Sequence, residues 1–162
     1  MINNHHRLTM NITRFLTHLL QPLYNYVAYS TTFETAMNVI DAIEKYSSNG
    51  FLQSNTLFAI LYIRDLSSII PHEQMIQTLE RFLHEFLTDQ QQIESVHIST
   101  IIELVRLVLQ NQYLLYENKL YQLIRGGTRN SPWTTLLTNI YVFYWQQDLL
   151  DKLKKKNETF GR

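Results

Sequence analysis

Residues 121–145 read Tyr-Gln-Leu-Ile-Arg-Gly-Gly-Thr-Arg-Asn-Ser-Pro-Trp-Thr-Thr-Leu-Leu-Thr-Asn-Ile-Tyr-Val-Phe-Tyr-Trp. A short polar strand leads into a turn at Gly126 and Gly127. Ser131 and Pro132 then open a long helix, since Ser is favoured as an N-cap and Pro at the first helical position. Apolar residues follow at helical spacing: Leu136, Leu137, Ile140 and Phe143. The stretch predicts a strand, a tight turn and a helix in direct succession.

The size and composition of the chain narrow the classes of function. Its 162 residues are about one domain, and its 14 basic and 14 acidic residues leave a net charge of zero. No overall field therefore attracts nucleic acid, although a local basic stripe can still exist. Cysteine is absent, which excludes disulfides, thiolate catalysis and Cys-based zinc sites and fits an intracellular setting. No apolar run reaches the ~18 residues of a membrane helix, so we expect no membrane partner.

Apolar periodicity organises the rest of the chain. It predicts helices near 9–28, after Thr31, from Pro71 onward and around 98–108. The four residues from Thr31, Thr-Thr-Phe-Glu, have the form of a capping box. The polar N-terminus predicts disorder in residues 1–10, which leaves 11–162 as a single domain.

Two segments predict β-structure. The unbroken apolar run 57–63, bounded by polar residues, predicts a strand buried on both faces. Residues 113–116 and 119–124 flank Glu117 and Asn118, which predicts a hairpin. The predicted fold class is therefore α+β and predominantly helical, with a short buried strand and a β-hairpin packed on helices.

The Gly-rich turn carries a family resemblance. Residues 126–141 resemble the template-gripping loop of reverse transcriptases, whose usual text is close to Gly-Gly-Ala-Met-Gly-Ser-Pro followed by Leu-Ala-Asn-Ile-Tyr. Other segments resemble Penelope-like reverse transcriptases in the same order: the lead-in helices 15–43, the first catalytic strand 57–71, the hairpin 113–124, and 145–162 before the second catalytic turn. The resemblance implies a partial fingers-and-palm domain.

The same resemblance implies a missing metal site. Nucleotidyl transfer uses two metal ions held by carboxylates, and magnesium requires oxygen ligands. Tyr62 stands where the family has its metal-binding Asp, and a neutral phenol cannot replace a carboxylate. Asp65 matches the family's secondary Asp, on the opposite face of an extended strand; a shifted alignment would instead make Asp65 the ligand. The chain ends at Arg162, before the family's Tyr-x-Asp-Asp. We therefore expect no metal or cofactor in this chain, although the family uses Mg²⁺.

The loop residues also differ from the family pattern. Ser67 occupies the position of the aromatic residue that screens the nucleotide sugar. The template or nucleotide loop would comprise Gly126, Gly127, Arg129, Asn130, Ser131 and Pro132, with Arg-Asn replacing Met-Gly. Arg125, Arg129 and the helix start at Ser131 could hold a phosphate. Alternatively, they form an ordinary capped turn with solvated arginines.

Three functional hypotheses follow from the resemblance. The first is a degenerate RNA-directed DNA polymerase, from a Penelope-like retrotransposon, that is inactive as this chain and retains weak nucleic-acid contact. The second is a helical protein–protein interaction module that self-associates or binds a partner through an exposed palm edge. The third is a split enzyme whose missing turn comes from another chain, against which Tyr62 speaks.

Overall fold

A computed structural model of the protein describes residues 3–87, 91–128 and 131–162. Helices predominate in it, and two short antiparallel hairpins supply the β-structure. The elements in chain order are α1 (Asn3–Ala28), a 3-10 turn (Tyr29–Thr31), α2 (Ala36–Ser48), α3 (Leu66–Ile69), α4 (His72–Phe86), β1 (Gln92–Ile93), β2 (Val96–His97), α5 (Ile98–Gln110), β3 (Tyr113–Tyr116), β4 (Lys119–Gln122), α6 (Pro132–Trp145) and α7 (Gln147–Lys154). The predicted α+β, mainly helical class is confirmed.

Four helices enclose the core. Both α1 and α4 pack against α5 and α6. Their apolar stripes supply the buried residues, among them Leu16, Leu20, Leu79, Phe82, Leu83, Ile101, Val105, Leu136, Leu137 and Ile140. Amphipathic periodicity predicted these helices because their apolar faces meet in the core. None of the helices in the described ranges is long and apolar enough to cross a membrane.

The first helix extends beyond its predicted limits only at the N-terminal end. Pro22 lies inside α1, which ends at Ala28, the end of the predicted range 9–28. The helix begins at Asn3, so it takes in part of the 1–10 stretch. Disorder of that stretch in solution stays a prediction.

The prediction of a buried strand at 57–63 is wrong. These residues have no regular secondary structure. The side chains of Leu57, Ile60 and Tyr62 are 92, 97 and 84 % exposed. A strand needs a neighbour to satisfy its backbone, and no strand among the described residues pairs with this run. Consecutive apolar residues alone therefore did not specify burial.

The predicted hairpin is confirmed, but its predicted packing on helices is wrong. Tyr113–Tyr116 pairs with Lys119–Gln122, and Leu115 faces Leu120. Glu117 and Asn118 have φ angles of 48° and 59°, the left-handed pair that tight hairpin turns require. All residues of both strands are exposed. The hairpin thus extends from the helical core into solvent.

The cap of α2 lies at another residue than predicted. Thr35, not the Thr31 segment, caps α2 and forms a capping box with Asn38. His97 is the N-cap of α5, which begins at Ile98, as the periodicity around 98–108 predicted. No side chain of α2 is buried, although its apolar residues repeat at helical spacing. The apolar periodicity of α2 predicted that a helix forms, but it did not predict whether the apolar face of this helix packs against the core.

The C-terminal segment returns to the end of α1. The Arg162 backbone N–H donates to the carbonyl of Thr31 at 2.9 Å, and the Phe33 N–H donates to the Arg162 carbonyl at 2.8 Å. The Arg162 guanidinium lies 5.5 Å from the centre of the Tyr24 ring and 5.8 Å from that of Phe143. Burial lowers the pKa of Arg162 and raises the pKa of Tyr24.

A tyrosine also joins α6 to α4. The Tyr144 hydroxyl donates to Oε2 of Glu85 at 2.7 Å. The Arg81 guanidinium lies 4.2 Å from the centre of the Tyr144 ring. Burial, followed by the hydrogen bond to Glu85, raises the pKa of Tyr144 above its ordinary value.

This raised pKa gives a pH-dependent contribution to stability. The neutral phenol is favoured in the folded state, so the contribution is full below the unfolded pKa of about 10 and declines as pH rises above it. We expect Tyr144→Phe to reduce the loss of unfolding free energy between neutral and strongly alkaline pH, measured by urea denaturation. Tyr26→Phe, at an 83 % exposed position, is the control. Equal pH dependence in both variants would contradict the linkage.

Candidate functional site

Two segments distant in sequence meet beside the start of α4. The N–H of Gly126 donates to the carbonyl of Ile70 at 2.7 Å, and the N–H of Gly127 donates to the carbonyl of Ser67 at 3.1 Å. Pro71 and Arg125 form an isolated antiparallel bridge. We call these contacts between residues 67–72 and 125–127 the clasp. It joins the segment that resembles the first catalytic strand to the one that resembles the template loop.

Both glycines of the turn are required by close packing. Gly126 is buried and has a φ angle of 59°, and a Cβ there would collide with the backbone of Ser67 and Ser68. A Cβ on Gly127 would collide with the Thr134 side chain in the first turn of α6. Glycine alone combines the left-handed conformation with such approach. The Gly-Gly pair therefore lets the turn lie directly on the 67–68 backbone.

His72 completes the clasp and was not predicted as a site residue. Its Nε2 lies 2.8 Å from the carbonyl oxygen of Gly126, so the tautomer protonated at Nε2 donates this hydrogen bond. The side chain is half-buried at the N-terminus of α4. The helix predicted from Pro71 onward gives His72 a place near a helix start but no partner, because Gly126 lies 54 residues away. Only the tertiary contact identifies its role.

The loop residues after the clasp begin α6. Ser131 is the predicted N-cap and Pro132 opens the helix, but the Ser131 side chain makes no capping hydrogen bond. Its backbone N–H donates to the Thr128 carbonyl at 3.3 Å. Arg129 and Asn130 lie outside the described residues.

The residues at the expected catalytic positions do not form a carboxylate centre. Tyr62 is 84 % exposed. Asp65 has a left-handed φ angle of 54° and precedes α3, so the predicted alternation of strand faces does not apply to it. No group of three His, Asp or Glu side chains within 3–87, 91–128 and 131–162 could hold a metal ion. A phenol and a single carboxylate do not fit the donor set of a magnesium pair.

Two depressions adjoin the helices. An apolar groove of about 270 Å³ lies beside the clasp, lined by Ile63, Leu66, Ile69, Ile70, Pro71, Gln74, Tyr141 and Trp145. A smaller polar cleft of about 150 Å³ includes Glu80, His84 and His97 in its lining. Neither depression was predicted from the sequence. The aromatic residues of α6 contribute to the groove because that helix passes the 63–71 segment.

No protein-family model matches the chain, and neither a curated protein nor a solved structure matches it.

Proposed function

We propose that the chain is a fingers-and-palm portion of a Penelope-like reverse transcriptase core that has no polymerase activity as this chain. The clasp is the observation that supports the proposal most. It joins Ser67 and Ile70 to Gly126 and Gly127 through backbone hydrogen bonds, and these are the two segments with the most specific resemblance. If the two segments resembled the family only by chance, there would be no reason for them to lie next to each other in the fold.

Loss of catalysis follows from the side chains at the expected metal positions. Tyr62 offers a neutral phenol where a carboxylate is needed at neutral pH. Asp65 lies in a left-handed turn before a helix, not in an extended strand beside other acidic groups. The residues at these positions therefore support a polymerase scaffold that lacks the carboxylates needed for nucleotidyl transfer. The function left to this scaffold is weak contact with a nucleic-acid backbone near the exposed Arg64 and Arg125.

Primer extension tests the catalytic part of the proposal. We expect no nucleotide incorporation by the purified chain on an RNA template with a DNA primer in the presence of Mg²⁺. We also expect none from Tyr62→Asp, because one restored carboxylate does not assemble a metal pair. An active reverse transcriptase assayed in parallel is the positive control. Extension by the wild-type chain would refute the inactive assignment.

Binding of a fluorescent RNA–DNA hybrid tests the retained contact. We expect weak, salt-dependent anisotropy changes that Arg125→Ala reduces, since each neutralised phosphate contributes to the salt slope. Arg14→Ala, at an exposed position on α1, is the matched control. No binding at low salt, or equal loss in both variants, would argue against a nucleic-acid surface beside the clasp.

A second candidate function is a protein-interaction module. The specific observation in its favour is the exposed apolar run 57–63, whose side chains are uncovered by the rest of the described chain. Large exposed apolar patches usually mark interaction sites. The two candidates differ in a simple respect: only the first needs nucleic acid.

A further inference from the structure

Within the described part of the chain, residues 57–62 combine highly exposed apolar side chains with a backbone that makes no backbone hydrogen bonds. We call residues 57–62 the apolar strip. Leu57, Phe58, Ile60, Leu61 and Tyr62 are between 71 and 97 % exposed. No backbone hydrogen bond links residues 57–63 to any residue in the described ranges. The strip thus presents both apolar side chains and free strand-pairing groups.

The apolar groove continues directly from this strip. Ile63 follows the strip in the chain and lines the groove, which extends over α3 to Tyr141 and Trp145. Trp145 is 61 % exposed and Ile69 is 55 % exposed, so the groove is uncovered. An exposed apolar segment and an apolar depression therefore adjoin at Ile63, and we treat them together as one face.

We propose that this face is a homodimer interface, in which the strip of each copy lies in the groove of the other; this inference rests on the second candidate function, the protein-interaction module. A two-fold interface requires a self-complementary surface, with each partner giving the same patch. A strip beside a groove suits that requirement, because each copy supplies both the segment and the depression that would receive it. A partner other than a second copy would need to contact only the strip or only the groove.

Charge and area favour the same occupant. The chain has 14 basic and 14 acidic residues, so two copies approach without net repulsion. Neither the strip nor the groove lining contains a charged side chain. Aromatic side chains bury about 150–250 Å² each, and Phe58, Tyr62 and Trp145 are exposed here beside several exposed Leu and Ile side chains. Strip and groove together therefore offer on the order of 800 Å² per copy, the usual share of one partner in a stable interface.

Size-exclusion chromatography with light scattering, from low to high micromolar loading, tests the dimer. We expect a concentration-dependent shift from the 19.3 kDa chain to a discrete species of twice that mass. Ile60→Asp should raise the dissociation constant of the dimer at least about tenfold, since a charge at a central interface position is unfavourable. Ile60 is 97 % exposed, so the substitution leaves the monomer folded, which circular dichroism can verify.

Met37→Asp is the matched control, because Met37 is 62 % exposed on α2, away from the strip in sequence. It should retain the wild-type dissociation constant. Amide hydrogen exchange should show protection of residues 57–63 at high concentration only. A monomer at every concentration, an open ladder of oligomers, or equal weakening by both substitutions would overturn the dimer. A monomer would leave the polymerase-scaffold proposal standing, because primer extension and hybrid binding test it separately.

Discussion

Gly126→Ala is expected to lower the free energy of unfolding by about 2–4 kcal/mol. One part of this loss is the strain of a left-handed conformation in a residue with a Cβ, about 1–2 kcal/mol. The rest is the collision of that Cβ with the backbone of Ser67 and Ser68. Backbone cannot move aside as a flexible side chain can. Urea denaturation followed by circular dichroism measures the difference.

The chain provides a control that separates the two parts. Gly50 has a φ angle of 75°, and a Cβ there would meet no atom within 4 Å. Gly50→Ala should therefore cost only the conformational strain, about 1–2 kcal/mol. If the two substitutions cost the same, the turn does not lie on the 67–68 backbone. The clasp, and the main support for the proposed function, would then be lost.

Phe82→Ala is expected to lower the free energy of unfolding by about 3–5 kcal/mol, a large loss for a single core substitution. Phe82 is fully buried. The centre of its ring lies 5.0 Å from the ring centre of Phe86, 6.1 Å from that of Phe143 and 6.4 Å from that of Tyr24. Truncation leaves a cavity between α1, α4 and α6 and removes these aromatic contacts. A domain of ordinary stability, about 5–15 kcal/mol, would lose a large fraction of it.

Phe15→Ala is the control for the core substitution. Phe15 lies on α1 but is 42 % exposed, so truncation removes less buried surface, and we expect a loss of about 1 kcal/mol. Thermal or urea denaturation of both variants gives the comparison. Similar losses would mean that the aromatic cluster around Phe82 is not packed as described.

The sequence correctly predicted the elements whose apolar pattern is compatible with only one type of secondary structure. The stripes of α4 and α6 could be buried only as helices, and both helices form where expected. The two strand-like runs on either side of Glu117 and Asn118 predicted a hairpin, and the hairpin forms around these two residues, which both adopt a left-handed backbone. Local chemistry decided these cases, so no tertiary information was needed.

The wrong predictions depended on partners that a pattern does not reveal. An apolar run such as 57–63 favours a strand, but burial requires neighbours on both faces. The apolar side of α2 is also exposed, with Met37 at 62 %. For the site, the family resemblance selected both segments of the clasp. Their hydrogen bonding and the contact of His72 with Gly126 required the fold, because more than fifty residues separate the partners.

The clasp also closes a long loop that contains α4, α5 and the β3–β4 hairpin. For such loops the entropy of closure grows slowly, by only about 0.6 kcal/mol for each doubling of length. Extra residues at the hairpin tip, Glu117 and Asn118, would therefore perturb the closed loop little, because every strand residue there is exposed. The tip is accordingly a suitable position for an inserted peptide tag or a fluorescent label that reports on the protein without touching either depression.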